Sequence, residues 1–405
     1  MRIAVIGGGP AGMIAAGFAG SRGKDVTLIE KNKRLGKKLF ITGKGRCNIT
    51  NASPIEDFFN NIITNSQFLY SGFYSFTNED IIRLLESYGL KVKVERGNRV
   101  FPASDKSSDV LKTLSKFLLD NNVKIILNRT VIDIEKVVDG FNIKFKDNSI
   151  EKFDKIIIAT GGKSYPATGS TGDGYNFAAK LGHHIEKLKP SLVPIETKEI
   201  WIKNVQGLSL KNVKLISTIE NENIHEEFGE MIFTHYGISG PIVLSMSNII
   251  NKHIRKNIKL FIDLKPALSK EKLDKRILRD FLKFNNKHLK NGLDELLPQK
   301  LIPIVIDIAS IDGNKPIHQI TKEERQSIVE TIKKLPLTFK GFRPLKEAIV
   351  TSGGVSTGEI DPSTMESKLI PNLFFCGEVL DVDGLTGGYN LQIAYSTGYL
   401  AGINI

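Results

Sequence analysis

Apolar positions along the chain fall into two textures. Residues 2–6 (RIAVI) form a short continuous apolar run of strand length, and Val26–Glu30 forms a second. Between them, Pro10 to about Arg22 reads as a helix, closed by Gly23. Together they predict a strand–helix–strand unit within the first 30 residues. Further strands are expected over 123–128 (VKIILN), 130–135 (TVIDIE), 141–145 (FNIKF) and 155–160 (KIIIAT), with a helix over 109–120. After Pro190 the pattern changes. Segments 213–219 (VKLISTI) and 230–235 (EMIFTH) alternate in the manner of antiparallel strands. From about Ser269 to Lys334, Lys- and Leu-rich periodic stretches predict helices, and from Leu345 the glycine-rich style of the first part returns. These textures predict one α/β domain made of 1–189 and 345–405. An inserted substrate domain over 190–344 interrupts it, β-rich over 190–268 and about 318–344 and helical over about 269–317.

Composition narrows the class. A chain of 405 residues with 41% apolar and 25% charged positions suits a packed globular fold of two or three domains. No apolar run reaches the roughly 18 residues of a membrane span, so no membrane partner is expected. The opening run Ile3–Gly20 carries glycines at fixed offsets and reads as a folded nucleotide-binding unit rather than a secretory signal. Two cysteines, Cys47 and Cys376, offer no disulfide framework, which fits a reducing cytoplasm. The net charge is +12, but 43 of the 56 basic residues are Lys and 13 are Arg. Arg has the planar fork that suits phosphates and base edges. The excess therefore reads as a solvated surface and argues against a nucleic-acid partner, while leaving weak attraction to anionic ligands. No His, Cys or Asp cluster has metal-ligand spacing, so no metal is expected. The oligomeric state is not encoded in any pattern of this kind.

The chemistry begins at Gly7-Gly8-Gly9-Pro10-Ala11-Gly12, where glycines occupy the positions of G-x-G-x-x-G. Gly7 permits the tight turn, Gly9 lets a pyrophosphate approach the backbone, and Gly12 lets helix pack on strand. Phosphates would face the open N–H groups of the helix N-terminus, Ala11 first among them, since Pro10 fixes the turn but has no N–H. Glu30, 18 residues beyond Gly12, can accept from a ribose 2′-hydroxyl and would repel a 2′-phosphate. The bound nucleotide is thus FAD or NAD rather than NADP. Three downstream segments favour FAD. LGKKLFITGKGRCNITN (35–51) supplies Thr42, Gly43 and Arg46. IIIATGG (156–162) ends at Thr160 and Gly161. Gly377-Glu378 and Gly388 lead into a last helix. The positive end of that helix would stabilise an anionic reduced flavin.

Individual side chains carry alternatives. Cys47 is read as a small packing residue beside the flavin, since no partner Cys is spaced for redox work. Arg46 holds either a phosphate, the flavin carbonyl edge or a structural ion pair, and Glu378 is expected to accept from ribityl hydroxyls. The catalytic residue is unknown; weak candidates are Tyr165 and Tyr389, beside flexible turns, and His235 in THYGISGP, each with ordinary packing as the alternative. His183 and His184 read as surface caps. GISGPIVLS lacks the spacing of a nucleophile elbow.

The most specific segments are LGKKLFITGKGRCNITN, TGSTGDGY (168–175), TSGGVSTGEIDPSTMESK (351–368) and GEVLDVDGLTGGYNLQIAYSTGYLAG (377–402). They resemble a bacterial family of NAD(P)/FAD-dependent oxidoreductases that includes aminoacetone oxidases and 3-dehydro-bile-acid reductases, over nearly the whole chain. The resemblance implies a Rossmann-like, glutathione-reductase-like FAD domain with one dinucleotide unit, interrupted by a β-barrel-like insert with a small helical part. It also implies FAD contacts at Glu30, Lys31, Lys38, Cys47, Asn48, Val131, Glu378, Asn390 and Leu391. The expected reaction is hydride transfer at flavin N5 between a small organic substrate and a nicotinamide donor or other acceptor. NAD(P)H would visit transiently, since no second fingerprint follows a strand, and the insert would wall the cleft over the ring. Two rivals remain: an oxidase of an amine such as aminoacetone using oxygen, and an RNA-associated flavoprotein.

Overall fold

The computed structural model describes residues 1–405 except 221, 252, 254 and 255. By its internal contacts the chain divides into two units, Met1–Ser191 with Pro344–Ile405, and Leu192–Arg343.

The first unit is built on a parallel five-stranded sheet. Its order is Leu373–Phe375, Lys155–Ile158, Arg2–Ile6, Asp25–Ile29, Lys124–Ile126. These strands are continuous apolar runs because both sheet faces are covered; Ile3, Ala4 and Val5 have no exposed surface. The chain crosses from Lys124–Ile126 to Lys155–Ile158 through an antiparallel meander, Val131–Val137, Gly140–Phe145 and Ile150–Phe153. That is the α/β arrangement expected from the sequence, with one parallel dinucleotide sheet.

The helix Pro10–Ser21 and the final helix Tyr389–Asn404 are almost wholly buried. They meet through small residues. A side chain at Gly398 would begin 2.5 Å from the Ala11 carbonyl oxygen, and one at Gly402 would begin 2.5 Å from that of Ala15. Because 11 faces 398 and 15 faces 402, the two helices run in the same direction. The final helix starts nine residues before Gly398 and the first helix one residue before Ala11, so the final helix's N-terminus lies about 12 Å ahead of the first one at 1.5 Å per residue.

The second unit holds a closed antiparallel barrel. Its strands, in order, are Ile195–Thr197, Gly237–Ser239, Glu222–Phe233, Ser209–Ile219, Ile258–Asp263 and Leu335–Phe342. Closure removes the unpaired edges that an open sheet of this composition would expose. Leu215, Phe233, Leu260 and Leu335 are fully buried in a core of the unit's own. Two stretches expected to be β-rich are helical in part. Pro241–Asn251 is a helix within 190–268, and Lys322–Lys333 is a helix within 318–344. The second has a local cause. Thr321 accepts from the Glu324 N–H, and the Glu324 carboxylate accepts from the Thr321 N–H at 2.8 Å, a reciprocal cap that nucleates the helix.

Replacing Thr321 by Ala is expected to lower the stability of the barrel unit by about 1 kcal/mol. A shift of its urea unfolding midpoint checks this, and an unchanged midpoint would show the cap to be dispensable.

Candidate active site

At the fingerprint, the turn is forced by main-chain contacts. Gly7 has φ +110°, and a side chain there would strike the Ala159 carbonyl. A side chain at Gly12 would begin 1.9 Å from the Gly7 carbonyl oxygen. At Gly9 the opposite holds: nothing lies within 4 Å of where a side chain would begin. Gly9 is also the N-cap of the helix, with no side chain capping it and Pro10 at the first position. The open N–H groups there, Ala11 and Gly12 among them, face free space of the kind a phosphate fills. Glu30 is buried beside this turn. One carboxylate oxygen accepts from the Gly8 N–H at 2.8 Å, and the other from the Asn32 N–H and Nδ2, each at 2.7 Å. A carboxylate has about four lone-pair sites, so room remains for a ribose hydroxyl.

The segment after the second strand carries unusual backbone. Gly43, Lys44, Gly45 and Cys47 all have φ between +57° and +85°. Left-handed conformations at non-glycine residues cost energy and persist where the surroundings enforce them, often at ligand sites. Cys47 is completely buried; burial pushes its thiol up to about 12, despite a hydrogen bond with Thr42. It is a packing residue with no nucleophilic thiolate. Thr42 itself donates to the Leu39 carbonyl at 2.7 Å. Among the described residues, Asn48 Oδ1 and Thr160 Oγ1 are buried with no hydrogen-bond partner. Both belong to segments expected to touch the cofactor, and Gly161 follows Thr160 with φ +71°.

The final helix begins at Gly388 (φ +106°), again with no side-chain cap. A side chain at Gly388 would begin 2.4 Å from the Thr50 carbonyl carbon, so only glycine fits. Its turn is held by residues that the sequence reading did not single out. Asn51 Nδ2 donates to the Gly387 carbonyl at 3.0 Å. Gln392, fully buried, accepts from Thr50 Oγ1 and donates to the Phe76 carbonyl and to Ser396. The one visible signal was a glutamine inside a largely buried helix. The Asn390 side chain turns back, donating to the Gly384 and Leu385 carbonyls and accepting from the Gly384 N–H. Asn390 and the half-buried Leu391 can therefore serve a ligand here through their main-chain N–H groups. Gly377, with φ +79°, lies against Ala11 and donates to Thr397 Oγ1.

Charged candidates are more committed than expected. Lys38 Nζ lies 2.7 Å from Glu378 Oε2 and donates to Ser164 Oγ at 2.7 Å. Glu378 Oε1 also accepts from Ser164 Oγ and from the Thr351 N–H at 2.9 Å, so its carboxylate has three protein donors, as Glu30 has, and room for one more. Lys31 pairs with Asp173 and Thr171. Arg46 makes a two-pronged pair with Glu95 at 3.0 and 2.8 Å and lies over the Phe101 ring at 4.0 Å. Of its three sequence alternatives, this geometry is the ion pair. Val131 lines a cavity of about 300 Å³ together with Asp173, Asn176 and Phe177.

The three catalytic candidates are not brought together by any one element. Tyr389 is 8% exposed and packs edge-on against Phe58 at 5.0 Å, while burial raises its hydroxyl pKa. Tyr165 sits in a left-handed turn before Pro166–Thr168. His235 belongs to the barrel unit, exposed between two strands. His183 is not a surface cap. It is buried, with Nε2 2.8 Å from Ser367 Oγ and its ring against Phe375, and burial lowers its pKa. Leu181-Gly182 end the preceding helix and turn the chain inward. Among the described residues, no group of three or more His, Cys, Asp or Glu is placed to hold a metal ion, and no helix is long and apolar enough to cross a membrane.

The model of the HI0933-like protein Rossmann domain matches residues 1–404. The chain belongs to this family. A 3-dehydro-bile acid delta(4,6)-reductase of Clostridium scindens is 32% identical, covering 99% of this chain and 98% of that protein. Ribosomal RNA dihydrouridine synthases of Escherichia coli and Haemophilus influenzae are 30% and 31% identical, over 98% and 99% of this chain and 95% and 97% of theirs. Among solved structures, a 3-ketosteroid-delta4-(5alpha)-dehydrogenase of Rhodococcus jostii covers 99% of this chain and 96% of its own, at TM-score 0.53 and 14% identity. A flavocytochrome c3 fumarate reductase covers 100% of this chain and 77% of its own, at TM-score 0.51 and 18% identity. These two share the fold. This HI0933-like chain is an FAD-dependent oxidoreductase, and the open Gly9 turn, the uncapped helix ends and the unpartnered Asn48 and Thr160 oxygens fit that cofactor.

Gly12→Ala is expected to yield protein with little bound FAD, because the methyl group has no space beside the Gly7 carbonyl. The ratio of flavin to protein absorbance measures it; full occupancy would show that the helix can shift. Neither Cys47 nor Cys376 should react with a disulfide reagent at pH 8 in the folded protein, since burial raises both thiols above the usual range. Two should react after unfolding in urea, and a rapidly reacting thiol in the native state would contradict the packing role.

Proposed function

We propose that this flavoprotein reduces a carbon–carbon double bond conjugated to a carbonyl in a ring. The observation that carries this reading is the chemistry shared by its relatives. A 3-dehydro-bile acid with delta(4,6) unsaturation has its double bonds conjugated to a ketone. Dihydrouridine is uridine whose C5–C6 double bond, conjugated to the C4 carbonyl, has gained two hydrogens. In both, the carbon farther from the carbonyl takes a hydride and its neighbour takes a proton.

When bound, FAD supplies that hydride from N5. The chain's residues position and bias it. The Gly9–Gly12 turn would hold the pyrophosphate on the first helix, and Glu30 would hold the adenosine ribose. Val131 and the Lys31–Asp173 pair lie toward the adenine end, while Lys38 and Glu378 brace the segment leading to the final helix. About 12 Å ahead, the Asn390 and Leu391 N–H groups would face the pyrimidine edge. Positive partial charge there favours the anionic reduced ring by about 0.3–2 kcal/mol. Cys47 and Gly43 shape the wall, and Tyr165, His235 and Tyr389 are the proton-donor candidates. NADH or NADPH is the proposed electron source.

Anaerobic stopped-flow mixing tests the reading. NADH or NADPH should bleach the flavin, and a 3-oxo-4-ene steroid or a uridine-containing ribosomal RNA fragment should restore its colour without oxygen. Restoration by oxygen alone, with neither conjugated substrate effective, would replace the reductase by an oxidase.

A further inference from the structure

We propose that the barrel unit carries a second nucleotide site, one for a nucleoside phosphate, in a cavity of about 390 Å³ at the strand Ile195–Thr197. The volume lies in the range of small-molecule sites. The proposal rests on the reaction read above, whose substrate or electron donor the site would hold, and binding here is measured without turnover.

Two polar groups of its wall lack partners. Thr197 is 7% exposed, and its Oγ1 is buried with no hydrogen-bond partner among the described residues. Glu199 accepts from the Thr338 N–H at 2.7 Å through Oε1, while Oε2 is buried and unpartnered. Buried polar atoms are nearly always paired, and exceptions ask for a missing partner. A hydroxyl and a carboxylate oxygen two residues apart on one cavity wall suit a group that offers both N–H and C=O, such as the edge of a nucleobase.

The opposite face is aromatic and cationic. Tyr236 has the Arg343 guanidinium 4.5 Å over its ring and His235 edge-on at 4.9 Å. Arg343 is fixed by Glu196 at 2.7 Å, and the Arg343 and Lys340 charges hold the Glu196 carboxyl below its usual range. Lys198, Lys203 and Lys340 stand exposed at the rim. Four cations against two carboxylates favour an anion, yet a buried acceptor such as Glu199 Oε2 would repel a bare phosphate. A phosphate joined to a flat, hydrogen-bonding base satisfies all three surfaces. Aromatic planes and Arg stack bases without requiring a given sequence. Two sources offer this chemistry, a strand of RNA and a nicotinamide dinucleotide.

The chain's one tryptophan reports the site. Trp201 lies between the lining residues Ile200 and Ile202, 6.1 Å from Phe233. Trp201 fluorescence of the FAD-loaded protein should change saturably on titration with uridine 5′-monophosphate. Uridine alone and inorganic phosphate alone should bind at least about tenfold more weakly. Glu199→Gln keeps the acceptor for Thr338, and Thr197→Val keeps the shape; each should weaken binding about tenfold without lowering the thermal midpoint. Lys340→Ala should weaken the nucleotide and leave uridine unaffected. Tighter binding of a short oligouridylate, falling steeply with salt, assigns the RNA source. Tighter binding of NADPH assigns the dinucleotide. No saturable change with any nucleotide, an equal response to phosphate alone, or parental binding by Glu199→Gln and Thr197→Val overturns the proposal.

Discussion

Main chains meet main chains where the first helix joins its neighbours. The Gly7 carbonyl occupies the space that a side chain at residue 12 would need, and the Ala11 and Ala15 carbonyls occupy the space needed at 398 and 402. Such close approach is open to glycine alone, because a carbonyl oxygen stands where any side chain at these positions would begin. The first strand, the first helix and the final helix thereby become one rigid piece. Their shared direction sends two uncapped helix ends the same way. Each end presents unpaired N–H groups and partial positive charge. A dinucleotide with a phosphate bridge in the middle and an electron-accepting ring at one end fits a pair of positive ends set apart along one direction.

Around that piece, buried polar groups are arranged to hold the loop before the final helix rather than to contact a ligand. Asn51, Gln392, Asn390 and Thr397 use their hydrogen bonds on main-chain groups and on one another. Removing one partner of such a buried set leaves another group unpaired, which costs about 1–3 kcal/mol. The Lys38–Glu378 pair performs the same service for the segment between Lys155–Ile158 and the final helix, with Ser164 and Thr351 completing it. Against this well-paired background the unpartnered Asn48 and Thr160 oxygens stand out. Binding a cofactor there adds hydrogen bonds that the folded chain alone lacks, so occupancy and stability rise together.

The barrel unit follows a different economy. Its buried apolar residues, from Ile195 to Leu337, form a core of its own. It carries its own polar cavity, with a paired arginine on a tyrosine face. A family whose relatives act on ligands as unlike as a bile acid and ribosomal RNA needs a part that can vary while the flavin scaffold stays fixed, and an inserted unit is suited to that.

The sequence by itself determined the α/β class, the order of the central strands' segments, the fingerprint turn and the need for a dinucleotide. Each depends on neighbours within about 30 residues: glycine at a left-handed φ, an apolar run of strand length, a carboxylate at the next strand's end. It also marked Gly388 and the final helix. What it left open depends on contacts between distant segments. Arg46 and Glu95, Lys38 and Glu378, and His183 and Ser367 pair across 49, 340 and 184 residues, and no local pattern announces them. Tertiary structure alone decided that Glu378 would be occupied by protein donors and that Asn390 would serve its own turn. It placed His183 inside. The Lys322–Lys333 helix is the converse: its capping box was legible in Thr321 and Glu324 and its periodicity in the Lys- and Leu-rich stretch to Lys334, although the domain bounds counted 318–344 as β-rich. The fingerprint was readable because its physics is local, and the substrate side was not because its surfaces are assembled only on folding.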